Sequence, residues 1–143
     1  MKTWVLTWLW YLNALYWIAV FFLPREEAVW ALVSYFAIGP FIAAMVIPQR
    51  GLTRLSGLIH LPWVPFTVYL ALRLFTHTLG PPITLESDGI YYYGWLQVVF
   101  WSTSICLAFD VMDVLRWLAG ERFVLGTPAA AAAGASKLAP IAW

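Results

Sequence analysis

Two stretches of twenty residues in the first third of the chain carry no charge at all. Trp4–Leu23 reads WVLTWLWYLNALYWIAVFFL and Ala28–Ile47 reads AVWALVSYFAIGPFIAAMVI. At a rise of about 1.5 Å per residue, a helix of that length crosses a hydrocarbon layer about 30 Å thick. The rest of the chain does not dilute the pattern. Charged residues make up 10% of the 143, where a water-soluble domain carries about 25%, so there is too little charge to clothe a surface facing water. Disorder, collagen, coiled coil and disulfide scaffold fail on the same composition, and the expectation is an all-α integral membrane protein.

The first run is preceded only by Lys2 and exceeds the 7–15 residues (roughly) of a secretory h-region, with no A-x-A site after it. It reads as a retained helix. Pro24-Arg25-Glu26-Glu27 makes a very short connection, and proline with acids at a helix start suits the positive end of the helix dipole. Glu26 and Glu27 are therefore assigned to opening the second helix, which carries Gly39-Pro40 and a kink there. PQRGLTRLSG (Pro48 to Gly57) is a loop. Leu58–Phe75 is the third span, with His60, Pro62 and Pro65 at its start and Arg73 near its end. The longest connection runs from Thr76 to about Tyr92. Tyr91, Tyr92, Tyr93 and Trp95 then resemble an interfacial aromatic belt ahead of a fourth span over about 93–115. The domain reading is a four-helix transmembrane unit over 1–120 (spans about 4–23, 28–47, 58–75 and 93–115) and an Ala/Gly/Pro-rich cytoplasmic tail over 121–143.

With four spans, the termini and the second connection share one side, which holds Lys2, Arg50, Arg54, Arg116, Arg122 and Lys137. The other side holds Arg25 and Arg73. The excess of Lys and Arg places both termini in the cytoplasm. Short connections make successive helices neighbours, giving an up-down-up-down bundle. Small residues let helix backbones approach in lipid, and Ala37, Gly39, Ala43 and Ala44 are the stripe expected to do this.

Asp110 and Asp113 are the most informative polar residues, because a carboxylate within a span is costly and functional by default. Their spacing of three puts both on one helical face, extended by Thr103 and Cys106. They form either an ion site or a structural set of salt bridges with Arg50, Arg54 or Arg116. Arg50 and Arg54 are also placed to meet anionic headgroups. On the outer side, Arg73 is matched with His77, Glu86 and Asp88 as a polar cluster. His60 is a hydrogen-bonding side chain, with ligation of a pigment or haem as the sharper alternative. His60 and His77 lie 17 residues apart, too far to share one metal on a continuous helix, and the single Cys106 matches no metal spacing. Asn13 is packing glue within helix one. No metal site, cofactor or catalytic residue is expected.

There is no nucleophile elbow, H-E-x-x-H, P-loop or C-x-x-C. The net charge of +1 gives no basic stripe for nucleic acid. The expected role is a non-enzymatic accessory or assembly subunit of a larger membrane complex. Its partners would be the lipid bilayer and other integral subunits or further copies of itself, docked through loop 76–92 or the tail. The alternatives are a homo-oligomeric channel or small transporter using Asp110 and Asp113, and a pigment- or haem-binding subunit. The Met-Lys start and compact loops fit a bacterial plasma (inner) membrane.

Overall fold

The computed structural model describes residues 3–125 and residue 127, and they are helical with no strand among them. α1 (Thr3–Trp17) continues as a 3₁₀ turn, Ile18–Phe22. α2 (Glu26–Val46) runs unbroken through Pro40. A 3₁₀ segment (Arg54–His60) leads to α3 (Trp63–Phe75), a short α4 (Leu85–Asp88) lies in the longest connection, and α5 (Ile90–Leu118) is the longest element. Three stretches are long and apolar enough to cross a membrane: Thr3–Phe22, Glu26–Val46 and Ile90–Leu118. A fourth is obtained if the 3₁₀ segment and α3 count as one.

That third span is where the sequence reading needs correction. Instead of one helix over 58–75, the two pieces meet at 50°. Pro62 and Pro65 lack the N–H groups that would bond to the carbonyls of Leu58 and Leu61 in an α-helix. Tighter bonds fill in, from Leu61 N–H to Leu58 O (3.2 Å) and from Val64 N–H to Leu61 O (3.1 Å). The helix therefore begins only after the first proline, where proline is tolerated. The helix N-terminus predicted at 93 lies instead at Ile90, after a capping box in which Thr84 and Ser87 satisfy each other's backbone N–H groups around α4.

α1 packs on α2 and α5, and α3 packs on the same two helices, so the four long elements close into a ring. Tyr11 bonds Ser102 (2.7 Å), the Trp95 indole N–H donates to Leu15 O (3.0 Å), and Phe22 meets Tyr92 with ring centroids 5.1 Å apart. Residue numbers rise along α1 as they fall along α5, so this pair is antiparallel. The core lies where one stripe of each helix converges. Trp63, Phe66, Leu70 and Leu74 of α3 face Tyr92, Leu96, Val99 and Thr103 of α5 and Leu12, Leu15 and Tyr16 of α1. An aromatic stack crosses it, from Tyr35 through Tyr16 and Trp63 to His60, with centroid spacings of 5.5, 4.9 and 4.5 Å. Tyr35 also donates to Asn13 Oδ1, tying α2 to α1 through the one strongly polar side chain of α1.

The small-residue stripe of α2 is not the predicted one. Ala28, Ala31, Ser34 and Ile38 are buried, whereas Gly39, Ala43 and Ala44 are exposed. Outward positions elsewhere carry large apolar side chains, including Trp10 at 73% exposed, Phe21 at 85%, Trp17 at 52% and Trp101 at 58%.

Candidate functional site

Polar side chains gather at the two ends of the ring. At the end where α5 finishes, Arg54 is buried, with its side chain 4% exposed. Its Nη1 donates to Asp113 Oδ1, and its Nε to Glu121 Oε2 at 2.7 Å. Glu121 also accepts from Arg116 Nε at 3.1 Å. Two guanidinium groups and two carboxylates thus close a neutral network. Burial alone would raise the Glu121 carboxyl above its ordinary value of 4.5. Hydrogen bonds from Arg116 and Arg54 outweigh that and hold it lower. The start of the predicted tail belongs to this structure, since Leu125 N–H bonds Leu52 O at 2.8 Å. Residues 126 and 128–143, with Lys2 and Lys137, fall outside the described residues.

Of the residues expected here, Arg54, Asp113 and Arg116 come together and Arg50 does not. Arg50 is exposed and forms no ion pair among the described residues, and its backbone takes a positive φ in the turn that follows α2. Asp110 separates from Asp113 in its partner. His60 Nδ1 lies 2.8 Å from Asp110 Oδ2, and Cys106 Sγ is 3.9 Å from both atoms. These are the one group of three metal-binding side-chain types found to converge among the described residues. The approach depends on Gly57, where an added Cβ would come within 3.0 Å of Asp110 O and 3.1 Å of its Cα. Trp63 stacks on the His60 ring, 13° from parallel, and fixes its plane. Beside Asp110, an apolar groove of about 210 Å³ runs between α5 and the 57–64 bend.

The other end is built around Glu27, which the sequence reading assigned only to helix initiation. It is buried and accepts from Tyr92 Oη (2.6 Å) and Arg73 Nε (2.8 Å), with Tyr69 Oη at 3.4 Å. Arg73 Nη1 also donates to the carbonyls of Leu79 (3.0 Å) and Pro81 (3.2 Å), pinning the long connection. So Arg73 pairs with α2 and not with the predicted Glu86, Asp88 or His77. Asp88 instead pairs with Arg25 at 2.6 Å, whose guanidinium also covers the Tyr92 ring. Partial burial pushes the Asp88 carboxyl up. Bonds from Ser87 and Arg25 more than offset this and leave it below its ordinary value. His77 and Glu86 are exposed, with no side-chain hydrogen bond or ion pair among the described residues.

Glu27, Arg25, Glu121 and the Cys106–His60 contact were not anticipated. Topology was the available signal, because four spans put Glu27 and Arg73 at one end and His60 and Asp110 at the other. Chemically, the Arg54 network ties the 3₁₀ segment to α5 and to the residues after it, whereas His60, Cys106 and Asp110 present three Lewis-basic atoms to one point. Compared with known proteins, the chain matches no family model, no curated protein and no solved structure.

Proposed function

We propose that this chain is a multi-pass integral membrane protein of a bacterial inner membrane. It crosses four times in up-down-up-down order, with both termini cytoplasmic, and serves as a non-enzymatic accessory or assembly subunit of a larger membrane complex. One observation carries the reading: the buried charges Arg54, Asp113, Glu27 and Arg73 are paired inside the chain, while the outward faces of the long helices are apolar and rich in aromatic rings. Soluble monomers rarely expose contiguous apolar patches beyond a few hundred Å², so these faces call for lipid and other apolar helices. The pairing of Asp113 with Arg54 also supports a structural use of that carboxylate over an ion path.

Extraction from native membranes in mild detergent tests the role. The expected result is one or more integral membrane proteins co-purifying at fixed stoichiometry. Recovery of the chain alone, at native expression, argues against a subunit. Flux of ions by the purified chain in liposomes, abolished by Asp110→Asn with expression intact, would replace this reading with the channel or transporter. Visible absorption of the same native sample would replace it with a pigment or haem carrier.

A further inference from the structure

We infer that His60, Cys106 and Asp110 form a binding site for one divalent transition-metal ion, with Zn²⁺ the best match. The inference is independent of the subunit role proposed above. The three donor atoms make a triangle with edges of 2.8, 3.9 and 3.9 Å. Its centre is about 2.1 Å from each atom, against zinc distances of about 2.0–2.1 Å to imidazole nitrogen, 2.0–2.2 Å to carboxylate oxygen and 2.3 Å to thiolate sulfur. A small in-plane displacement of the ion toward the Nδ1–Oδ2 edge lengthens the sulfur bond to its preferred value. A tetrahedral centre, out of that plane, further requires the Nδ1–Oδ2 edge to open by about 0.5 Å and the two sulfur edges to close by about 0.3 Å.

Local construction favours these positions. Cys106 and Asp110 are one turn apart on the same face of α5. His60 reaches them because Pro62 ends the 3₁₀ segment in a bend and Gly57 lets that segment lie on the α5 backbone. Trp63 holds the imidazole plane. Asp110 also lines the neighbouring groove, which leaves space at the site's edge for a fourth ligand.

Charge and ligand chemistry select the ion. Asp113 has an arginine partner, but among the described residues the side-chain partners of Asp110 are His60 and Cys106. A neutral imidazole, a thiolate and a carboxylate around M²⁺ sum to zero charge, the least costly state in a low-dielectric setting. Binding through Nδ1 places the ring proton of the neutral imidazole on Nε2 and releases the Cys106 thiol proton to solvent. Mg²⁺ and Ca²⁺ require all-oxygen shells, and sulfur with imidazole selects Zn²⁺ and its neighbours.

The test uses the full chain, tag-free in detergent micelles, stripped with a chelator and titrated with Co²⁺ as a spectroscopic stand-in for Zn²⁺. One equivalent per chain should bind, with a thiolate-to-cobalt charge-transfer band in the near ultraviolet and the visible absorption of a four-coordinate ion. Zn²⁺ should displace it. Cys106→Ser should abolish the near-ultraviolet band, and His60→Ala and Asp110→Asn should each weaken binding by about 100-fold, at least as much as loss of an outer-shell partner. Arg50→Gln should change nothing. Unaltered helical circular dichroism and monodispersity of Cys106→Ser make its result interpretable whatever the other variants do. Absence of saturable Co²⁺ binding by the wild-type chain, or a charge-transfer band that survives Cys106→Ser, overturns the inference.

Discussion

Gly57 shows how one missing side chain can set the geometry of a site. A methyl group there would press on Asp110 O, Cα and Cβ at 3.0–3.1 Å, and two of those atoms are backbone that cannot rotate away. Gly57→Ala is expected to push the 3₁₀ segment off α5 and destabilise the fold by about 1–3 kcal/mol, the usual cost of overpacking. Thermal unfolding in detergent measures it, and an unchanged midpoint refutes the close packing. Glu121 supplies a second prediction at this scale. Its carboxyl is held below 4.5 in the folded chain by Arg116 and Arg54, against the opposing effect of burial. The folded state therefore binds fewer protons there than the unfolded one. The stabilisation is complete above about pH 4.5 and is lost as pH falls through the lowered folded value. Glu121→Gln should lower the melting midpoint at neutral pH and shrink its fall between about pH 5 and pH 3. A wild-type-like acid profile would sink the assignment. Little of this was visible in the sequence. The i, i+3 pair Asp110/Asp113 announced itself as costly charge in an apolar run, yet nothing local divides the two between His60 and Arg54. That division is decided by where the 3₁₀ segment docks.

At the level of elements, periodicity and charge-free length located the long helices, because those signals are local. The failures came where two local rules competed. His60, Pro62 and Pro65 were read as the opening of a helix at Leu58, but the missing proline N–H groups delay that helix to Trp63 and leave a 50° bend. On α2, residue size alone picked Ala37, Gly39, Ala43 and Ala44. The buried face is Ala28, Ala31, Ser34 and Ile38, on a helix that packs on the 3₁₀ segment Arg54–His60, on α3 and on the turn after α1. Because lipid tails are as apolar as leucine, helix association in a membrane rests on close packing and hydrogen bonds. A leucine at a seam position should therefore cost far more than one on the outer face. Ala31→Leu is expected to lose about 1–3 kcal/mol or fail to accumulate, whereas Ala44→Leu should be within about 0.5 kcal/mol of wild type. Melting midpoints of the two variants side by side decide this, and equal values would contradict the packing of α2.

Across the whole molecule, charge separates the two ends. Arg54 and Arg116 join one network at the α5 C-terminal end, where Arg122 stacks on Trp117. Arg25 and Arg73 are bound into the other end with Asp88 and Glu27. The tally made from loop positions in the sequence therefore corresponds to a physical separation in the folded chain for these five arginines. Pairing does not cancel the topological signal, since orientation follows Lys and Arg near span ends with little contribution from acids. An even number of crossings then requires that reporters fused at Met1 and at Trp143 both read cytoplasmic, while one inserted in the Thr78–Pro82 turn reads the opposite side. The bent third span is the weak point of that count. If Arg54–Phe75 entered and left on one face as a re-entrant segment, the chain would cross three times and the two terminal reporters would disagree. The ring of contacts argues for a full crossing, because Arg54 meets Asp113 at one end of α5 while Arg73, at the far end of the same span, meets Glu27 beside Tyr92 at the other. Those contacts separate the two ends of the bent span by most of the length of α5, about 30 Å over the twenty-one residues from Tyr92 to Asp113. Matching reporters at the termini are the expected outcome, and opposite ones would remove the fourth crossing and the cytoplasmic placement of the Arg54 network together.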